Sequence, residues 1–467
     1  MRTSQIPEFT GAALADGDDV IANVQISPGT FRLRRVPRNI VGATGPTGAQ
    51  GIQGIPGVKT ILDYGAVCDG VTDDSAAVLA AIADKDANGG AVLIPGIAAI
   101  GSAGWTGILI SGVSNLTIEG FGENSGFKVL ALPSQLLITG IPCAIKLSSC
   151  SNVTLRNLSI RGNSIASVAI GLSDTTDVSI LDNSIFDCGK AAIFLQSTGT
   201  DGLTGCLIAG NRLNRNDTGV QSDDIGFQMS RVSIIGNRVE ENNGNGIYLA
   251  MANEWIVSDN VVRNNNHDGI GNGRGIRLGV SASKVVISGN LVFDDRLSPK
   301  QNTGVLITAD TAGKTIDDVV IQGNIFSRNK DFNIQVTTSG GGITNRVAVC
   351  NNICNGESVS LRGISVSGGS LVDVVLVGNV CRNHASFDFS ATTLPITTGV
   401  SNIGFLDGLL PMRLMNNLLA EGLAAPITGT WTQGDRVFNS AATVGQPKSF
   451  VCTVSGTPGT WVSEGNL

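Results

Sequence analysis

The feature that most constrains this chain is an asparagine-centred phrase that recurs eight times. One copy reads Val232-Ser-Ile234-Ile-Gly-Asn237-Arg-Val239 and another Val285-Val-Ile287-Ser-Gly-Asn290-Leu-Val292. The copies centre on Asn183, Asn211, Asn237, Asn260, Asn290, Asn324, Asn352 and Asn379, at spacings of 28, 26, 23, 30, 34, 28 and 27 residues. Periods of that length belong to solenoids, in which each repeat is one coil that cannot bury its apolar side alone.

Within a phrase the residues five and three before the asparagine, and two after it, are mostly apolar, as in Val178, Ile180 and Ile185 or Val319, Ile321 and Phe326. A period of two means strands. A second alternating phrase follows each corner, for example Gly246-Ile-Tyr-Leu and Gly275-Ile-Arg-Leu. Two strands per period, with no amphipathic helix between them and no regularly placed hairpin Asn-Gly pairs, predict strands that stack coil on coil. The expected fold is all-β, a right-handed parallel β-helix. The asparagine is expected at a turn, where its amide can bond the neighbouring coils in a ladder.

Composition agrees with a narrow coil lined by Val, Ile and Leu: 61 glycines and only 4% aromatics. A formal charge of −7 argues against nucleic acid as a partner, because phosphates demand a basic footprint. No run of roughly 18 uncharged apolar residues exists, so no membrane insertion is expected, and the opening Met1-Arg-Thr-Ser-Gln-Ile-Pro-Glu lacks the apolar core of an export signal. Nine cysteines without a CxxC pair indicate neither a disulfide framework nor a zinc site, and no metal or cofactor is expected. Cys206 and Cys381 fall on apolar positions of the repeat.

Four segments are expected. Residues 1–41 form a separate module whose Arg32, Arg34, Arg35 and Arg38 suit a protein-docking surface. From Gly42 to Gly57 a glycine stands at every third position. Only glycine fits the axis of three wound polyproline II chains, so 42–57 read as a collagen-like neck and the chain as a homotrimer. The β-helix occupies 58–390, opening with a helix from about Asp74 to Asp84, capped by Thr72 or Asp73, whose Val78, Leu79 and Ile82 close the first coil. Residues 391–467 read as a small C-terminal β module in which Trp431 and Trp461 form the core.

The run Asp63-Tyr-Gly-Ala through Thr72-Asp-Asp-Ser, followed by Gly89-Gly-Ala-Val-Leu-Ile-Pro, resembles the opening of the pectate-lyase-like superfamily in the form found in bacteriophage tailspikes and tail fibres. With the triplets before it and the coils after it, the resemblance covers residues 42 to about 385. It implies a virion tail protein, made in the host cytoplasm, that docks to a tail or baseplate protein through its N-terminus and attaches to bacterial surface polysaccharide.

In a solenoid the outward residue of one strand position stacks into a stripe. In the second phrase that position holds Phe194, Gln221, Tyr248, Arg277, Leu306, Gln335 and Ser365 in turn. Aromatics with amide and guanidinium neighbours suit sugar rings, which makes Phe194, Gln221, Tyr248, Arg274, Arg277 and His267 the expected substrate-binding residues, and the alternative for the same face is packing against another chain of the trimer. Cleaving a polysaccharide needs paired carboxylates or a base beside a cation, and the candidates are Asp223, Asp224, Glu240, Glu241 and Asp268. The superfamily's catalytic patterns do not map onto these residues, so a depolymerase, hydrolase or lyase, and a non-catalytic receptor-binding fibre of the same fold both stand open.

Overall fold

The computed structural model describes residues 19–27, 30–37, 59–88, 90–101, 106–132, 137–138, 140–199, 202–223, 227–269, 271–391, 396–398, 402, 412–414 and 417–467. The collagen-like triplets of 42–57 lie outside them, as do Arg38 and Asp224. The chain divides into two units, Met1–Val58 and Lys59–Leu467. In the first, Asp19–Ser27 pairs antiparallel with Thr30–Pro37.

The second unit is a parallel solenoid with three strands per coil, one more than the two expected. The asparagine corner breaks the first phrase in two, so that Ser233–Ile235, for example, is followed by Arg238–Glu240. The three faces are a long-strand face (Ala191–Gln196, Thr218–Ser222, Ile247–Asn253 and successors), a face just before the asparagine, and a face just after it that numbers 12 strands. The residue before each asparagine has a left-handed backbone: Asp182, Gly210, Gly236, Asp259, Gly289, Gly323, Asn351 and Gly378 all have φ between 54° and 67°. Glycine, Asp and Asn tolerate that conformation best, which explains the recurrent Gly-Asn pair.

The asparagines form the expected ladder. The backbone N–H and side-chain Nδ2 of each donate to Oδ1 of the next; between Asn290 and Asn324 both distances are 2.9 Å. The run is unbroken from Asn183 to Asn379 and continues one coil further, to Asn402. The stacking therefore runs past residue 390, since Ile396–Thr398 still pairs with Val374–Leu376. A second ladder runs through Asn216, Asn242, Asn265 and Asn329, each five residues past a corner asparagine, with Gln301 and Asn333 completing it before it ends on His384. Burial holds the His384 imidazole below its usual range against the opposing pull of Asp388.

Coils stack tightly where the long-strand face begins. A Cβ on Gly246 would meet the Gly275 carbonyl at 2.6 Å, and one on Gly275 the Gly304 carbonyl at 2.7 Å. Glycine is required there by close approach rather than by its dihedral angles.

The first coil is closed by a helix, Ser75–Asn88, one residue later at its start than expected and longer at its end. Asp73 caps it by accepting from the Ser75 N–H at 3.0 Å, while the Asp74 carboxylate turns away to accept from Val67 and Cys68. Val78 and Ile82 are buried but Leu79 is exposed; Ala77 and Ala81 complete the inward face. Beyond the solenoid, Met412–Leu414, Asn417–Gly422, Arg436–Asn439, Ser449–Val454 and Thr460–Ser463 make a five-stranded sheet. Trp431 and Trp461 meet edge to face at 5.0 Å, each donating its indole N–H to a nearby carbonyl.

Replacing Asn290 by Ala would remove the acceptor for two Asn260 donors and the donor to the Val257 carbonyl. Buried polar groups left unpaired cost about 1–3 kcal/mol each. Asn290→Ala is expected to lower the urea-unfolding free energy by at least ~3 kcal/mol, far more than removal of an exposed asparagine such as Asn115.

Candidate functional site

The outward stripe falls in register as the sequence predicted, with Phe194 opposite Gln221, Gln221 opposite Tyr248, Tyr248 opposite Arg277, Arg277 opposite Leu306 and Leu306 opposite Gln335. Its middle is an open cleft of about 530 Å³ lined by Lys190, Asp217, Gln221, Tyr248, Arg277 and Asp310, among others. The Arg277 guanidinium lies over the Tyr248 ring at 4.6 Å and donates to Asp310 at 2.6 Å. These two contacts fix the aromatic ring and the cation against each other.

The ends of the stripe differ from expectation. Phe194 is buried, packed with Cys143, Val168 and Ala191 and with half-buried Ile141. The strand Ile141–Ser148 brings Ile141 and Cys143 over it. Leu306 and Ser365 are buried as well, and Tyr248 is only 7% exposed, its ring covered by the Arg277 guanidinium. Phe194 is therefore part of a local core and not a sugar platform.

Arg274 sits behind the cleft. Burial, reinforced by Arg277, pushes its guanidinium down to about 10, and its Nε is buried without a hydrogen-bond partner. His267 and Asp268 are exposed on the turn beyond, where the His267 carbonyl accepts from Lys300 at 2.8 Å.

The sequence reading missed Asp217. It is half-buried, and burial raises its carboxyl above the ordinary range; Lys190 opposes that shift and Asp268 adds to it. Asp217 and Asp310 lie in turns outside the alternating phrases, which is why a search along the repeat passes over them. The only signal was position, since both flank strands that carry the stripe.

Glu240 is not on this cleft. Its strand, Arg238–Glu240, belongs to the face after the asparagine, between Asn214 and Arg263 of adjacent coils. Its carboxylate is buried and shared by three guanidiniums: Arg212 at 3.2 Å, Arg238 at 2.8 Å and Arg263 at 2.8 Å. Burial alone would raise its pKa, but the hydrogen bonds from Arg238 and Arg263 win and hold it below the usual carboxylate range. A group kept ionised has no proton to give at neutral pH, so Glu240 is a clasp and not a general acid.

Glu241 occupies the following left-handed corner and accepts from Asn214 at 3.4 Å. Asp223 is buried and accepts from Gln196 at 2.9 Å. Beside the Glu240 clasp a smaller cavity of about 190 Å³ holds Arg161, Arg212 and Arg215, with Arg161 and Arg215 against the Phe186 ring. Among the described residues no cluster of three or more His, Cys, Asp or Glu side chains is placed to hold a metal ion, and no helix is long and apolar enough to cross a membrane.

Comparison with known proteins agrees with this geometry. Residues 96–224 and 214–321 match the family described as Beta_helix, right handed beta helix region. Among solved structures, the catalytic unit of a thermostable GH87 alpha-1,3-glucanase from Streptomyces thermodiastaticus strain HF3-3 is similar at 16% identity, over 75% of this chain and 69% of that one, with a TM-score of 0.57. The Dettilon tailspike protein is similar at 15% identity, over 85% of this chain and 74% of that one, with a TM-score of 0.55. At those identities the likeness is one of fold. Curated protein sequences contain no match. The chain thus carries a right-handed parallel β-helix, the solenoid that a tailspike and a glucanase also use.

Glu240 makes the sign of one pH effect explicit. Its folded pKa lies below the ordinary 4.5, so its contribution is present above that value and is lost as the pH falls through the folded pKa. Glu240→Gln is expected to destabilise the fold by about 2–3 kcal/mol at pH 7, less than a wholly buried pair because Arg212 and Arg238 remain half in water. The deficit should shrink below pH 4, as measured by urea unfolding across the pH range.

Proposed function

We propose that this protein is a phage tailspike that attaches the virion to bacterial surface polysaccharide through the cleft on its long-strand face. The observation that carries the reading is the in-register row Gln221, Tyr248 and Arg277 inside one open cleft. The Tyr248 ring, itself buried, backs the Arg277 guanidinium, and Gln221, Arg277, Lys190, Asp217 and Asp310 present amide, cationic and carboxylate groups to a sugar's hydroxyls. A solenoid adds a strand per coil to the same face, so the row follows an extended polymer. The fold shared with the Dettilon tailspike protein supports the assignment.

In the same reading residues 1–41 dock to a tail or baseplate protein, the glycine triplets of 42–57 join three chains, and the strands from Met412 onward form a C-terminal module beyond the solenoid. The protein is then a component of the virion tail.

A second reading, that the spike also cleaves its receptor, is favoured by Asp217. A carboxyl that burial shifts above its ordinary range moves toward the form a general acid needs: it would pass its proton to the glycosidic oxygen as the C–O bond breaks, while the water that adds to the sugar carbon gives its proton to Asp268 as base. Of the carboxylates singled out from the sequence, Asp268 alone couples to Asp217.

One experiment separates the two readings. Full-length protein is incubated with surface polysaccharide extracted from the host strain, with retention and oligosaccharide release both recorded. Retention weakened at least ~10-fold by Arg277→Ala, the scale of losing one anchoring guanidinium, supports the cleft; retention untouched by it removes the cleft from the account. Release abolished by Asp217→Asn with retention intact assigns the acid, whereas release that survives Asp217→Asn rejects it.

A further inference from the structure

Two rows of outward aliphatic side chains flank the asparagine ladder over five consecutive coils. On the face before the corner, Ile256, Val286, Val320, Ala348 and Val375 stand in register. On the face after it, Val261, Leu291, Ile325, Ile353 and Val380 do the same. Their strand neighbours, such as Val257, Val262, Val285, Ile287, Val292 and Phe326, point into the core, so alternation fixes the ten as outward. None is fully buried, and Ile256, Leu291, Ile325 and Ile353 are 43%, 37%, 47% and 49% exposed.

The stripe has a definite beginning. In the three preceding coils the same two positions hold Ser179 and Ser184, Leu207 and Arg212, and Ser233 and Arg238. It ends where Thr397 follows Val375. Within it not one of the ten positions is polar, over a length of about 20 Å at roughly 4.8 Å per coil. A patch of that extent on a molecule that also carries many surface charges marks an interface.

We propose that this corner is where three copies of the chain meet, with the solenoids side by side around a threefold axis. The proposal rests on the trimeric reading, whose ground is the strict glycine triplet of residues 42–57. A triple helix built on that pattern runs three chains parallel. Parallel copies related by a cyclic axis bring the same residues together at the axis. A straight row running along the solenoid stays at one distance from such an axis for its whole length. The aliphatic corner is thereby covered by its own copies and needs no complementary patch elsewhere. The Tyr248 cleft lies on the third face, which this arrangement leaves open to a polymer.

The test uses the full-length chain carrying Ile353→Cys, with Asp268→Cys on the cleft side as control and the parent chain, whose own cysteines are mostly buried, as baseline. Each is examined by sedimentation velocity, then oxidised with copper phenanthroline and run on a non-reducing denaturing gel. The account expects trimers in solution and a dimer-sized covalent band from Ile353→Cys, since two of three cysteines at an axis can pair, with at least 10 times less from Asp268→Cys. A trimer that gives no band from Ile353→Cys, or from Ile325→Cys made to guard against an awkward thiol geometry, overturns the placement of the interface while sparing the trimer. A monomeric parent chain overturns both.

Discussion

The solenoid from Asn183 to Asn402 depends on buried amides that must be satisfied from coil to coil. Each ladder asparagine presents Oδ1 to the N–H and Nδ2 of its predecessor and sends its own Nδ2 to a carbonyl one coil back, as Asn324 does to Ile287. In a dry interior the alternative is an unpaired polar group, which costs more than a hydrogen bond gains. The ladder therefore fixes the register of every coil it crosses. Register in turn sets which residue of the long-strand face stands above which, and so creates the Gln221–Tyr248–Arg277 row.

Carboxylates of one chemical type acquire opposite characters from their surroundings. Glu240 lies in a basin of three guanidiniums and stays ionised. Asp217, half-buried with Lys190 against it and Asp268 adding repulsion, is pushed toward the protonated form. Sequence position alone cannot make that distinction, because both residues sit near polar, outward-facing strands. The difference arises from burial set against the cations within reach: Glu240 has Arg238 on its own strand with Arg212 and Arg263 from the neighbouring coils, whereas at Asp217 Lys190 does not offset burial.

The repeat made most of the solenoid legible. The Gly-Asn corner, the alternation and the ladder follow directly from residue types, and the order of the stripe follows from the spacing. The third strand per coil was hidden because a left-handed residue followed by Asn divides one apolar phrase without changing its pattern. The second ladder left a readable signal: Asn216, Asn242, Asn265 and Asn329 each stand five residues after a corner asparagine, as does His384. Phe194 was misplaced because its cover, Ile141 and Cys143, comes from a stretch that does not obey the repeat. Asp217 was missed for a related reason, since turns vary in length and carry no period.

The central claim is that a surface polysaccharide lies along the long-strand face. Hydrogen exchange of the full chain, with and without the host-strain polysaccharide, tests it most directly. The account predicts slowed exchange in Thr218–Ser222, Ile247–Asn253 and the first residues of Arg274–Ser288, with the strands after the asparagine unchanged. Protection confined to those other strands, or to the C-terminal sheet, would contradict it.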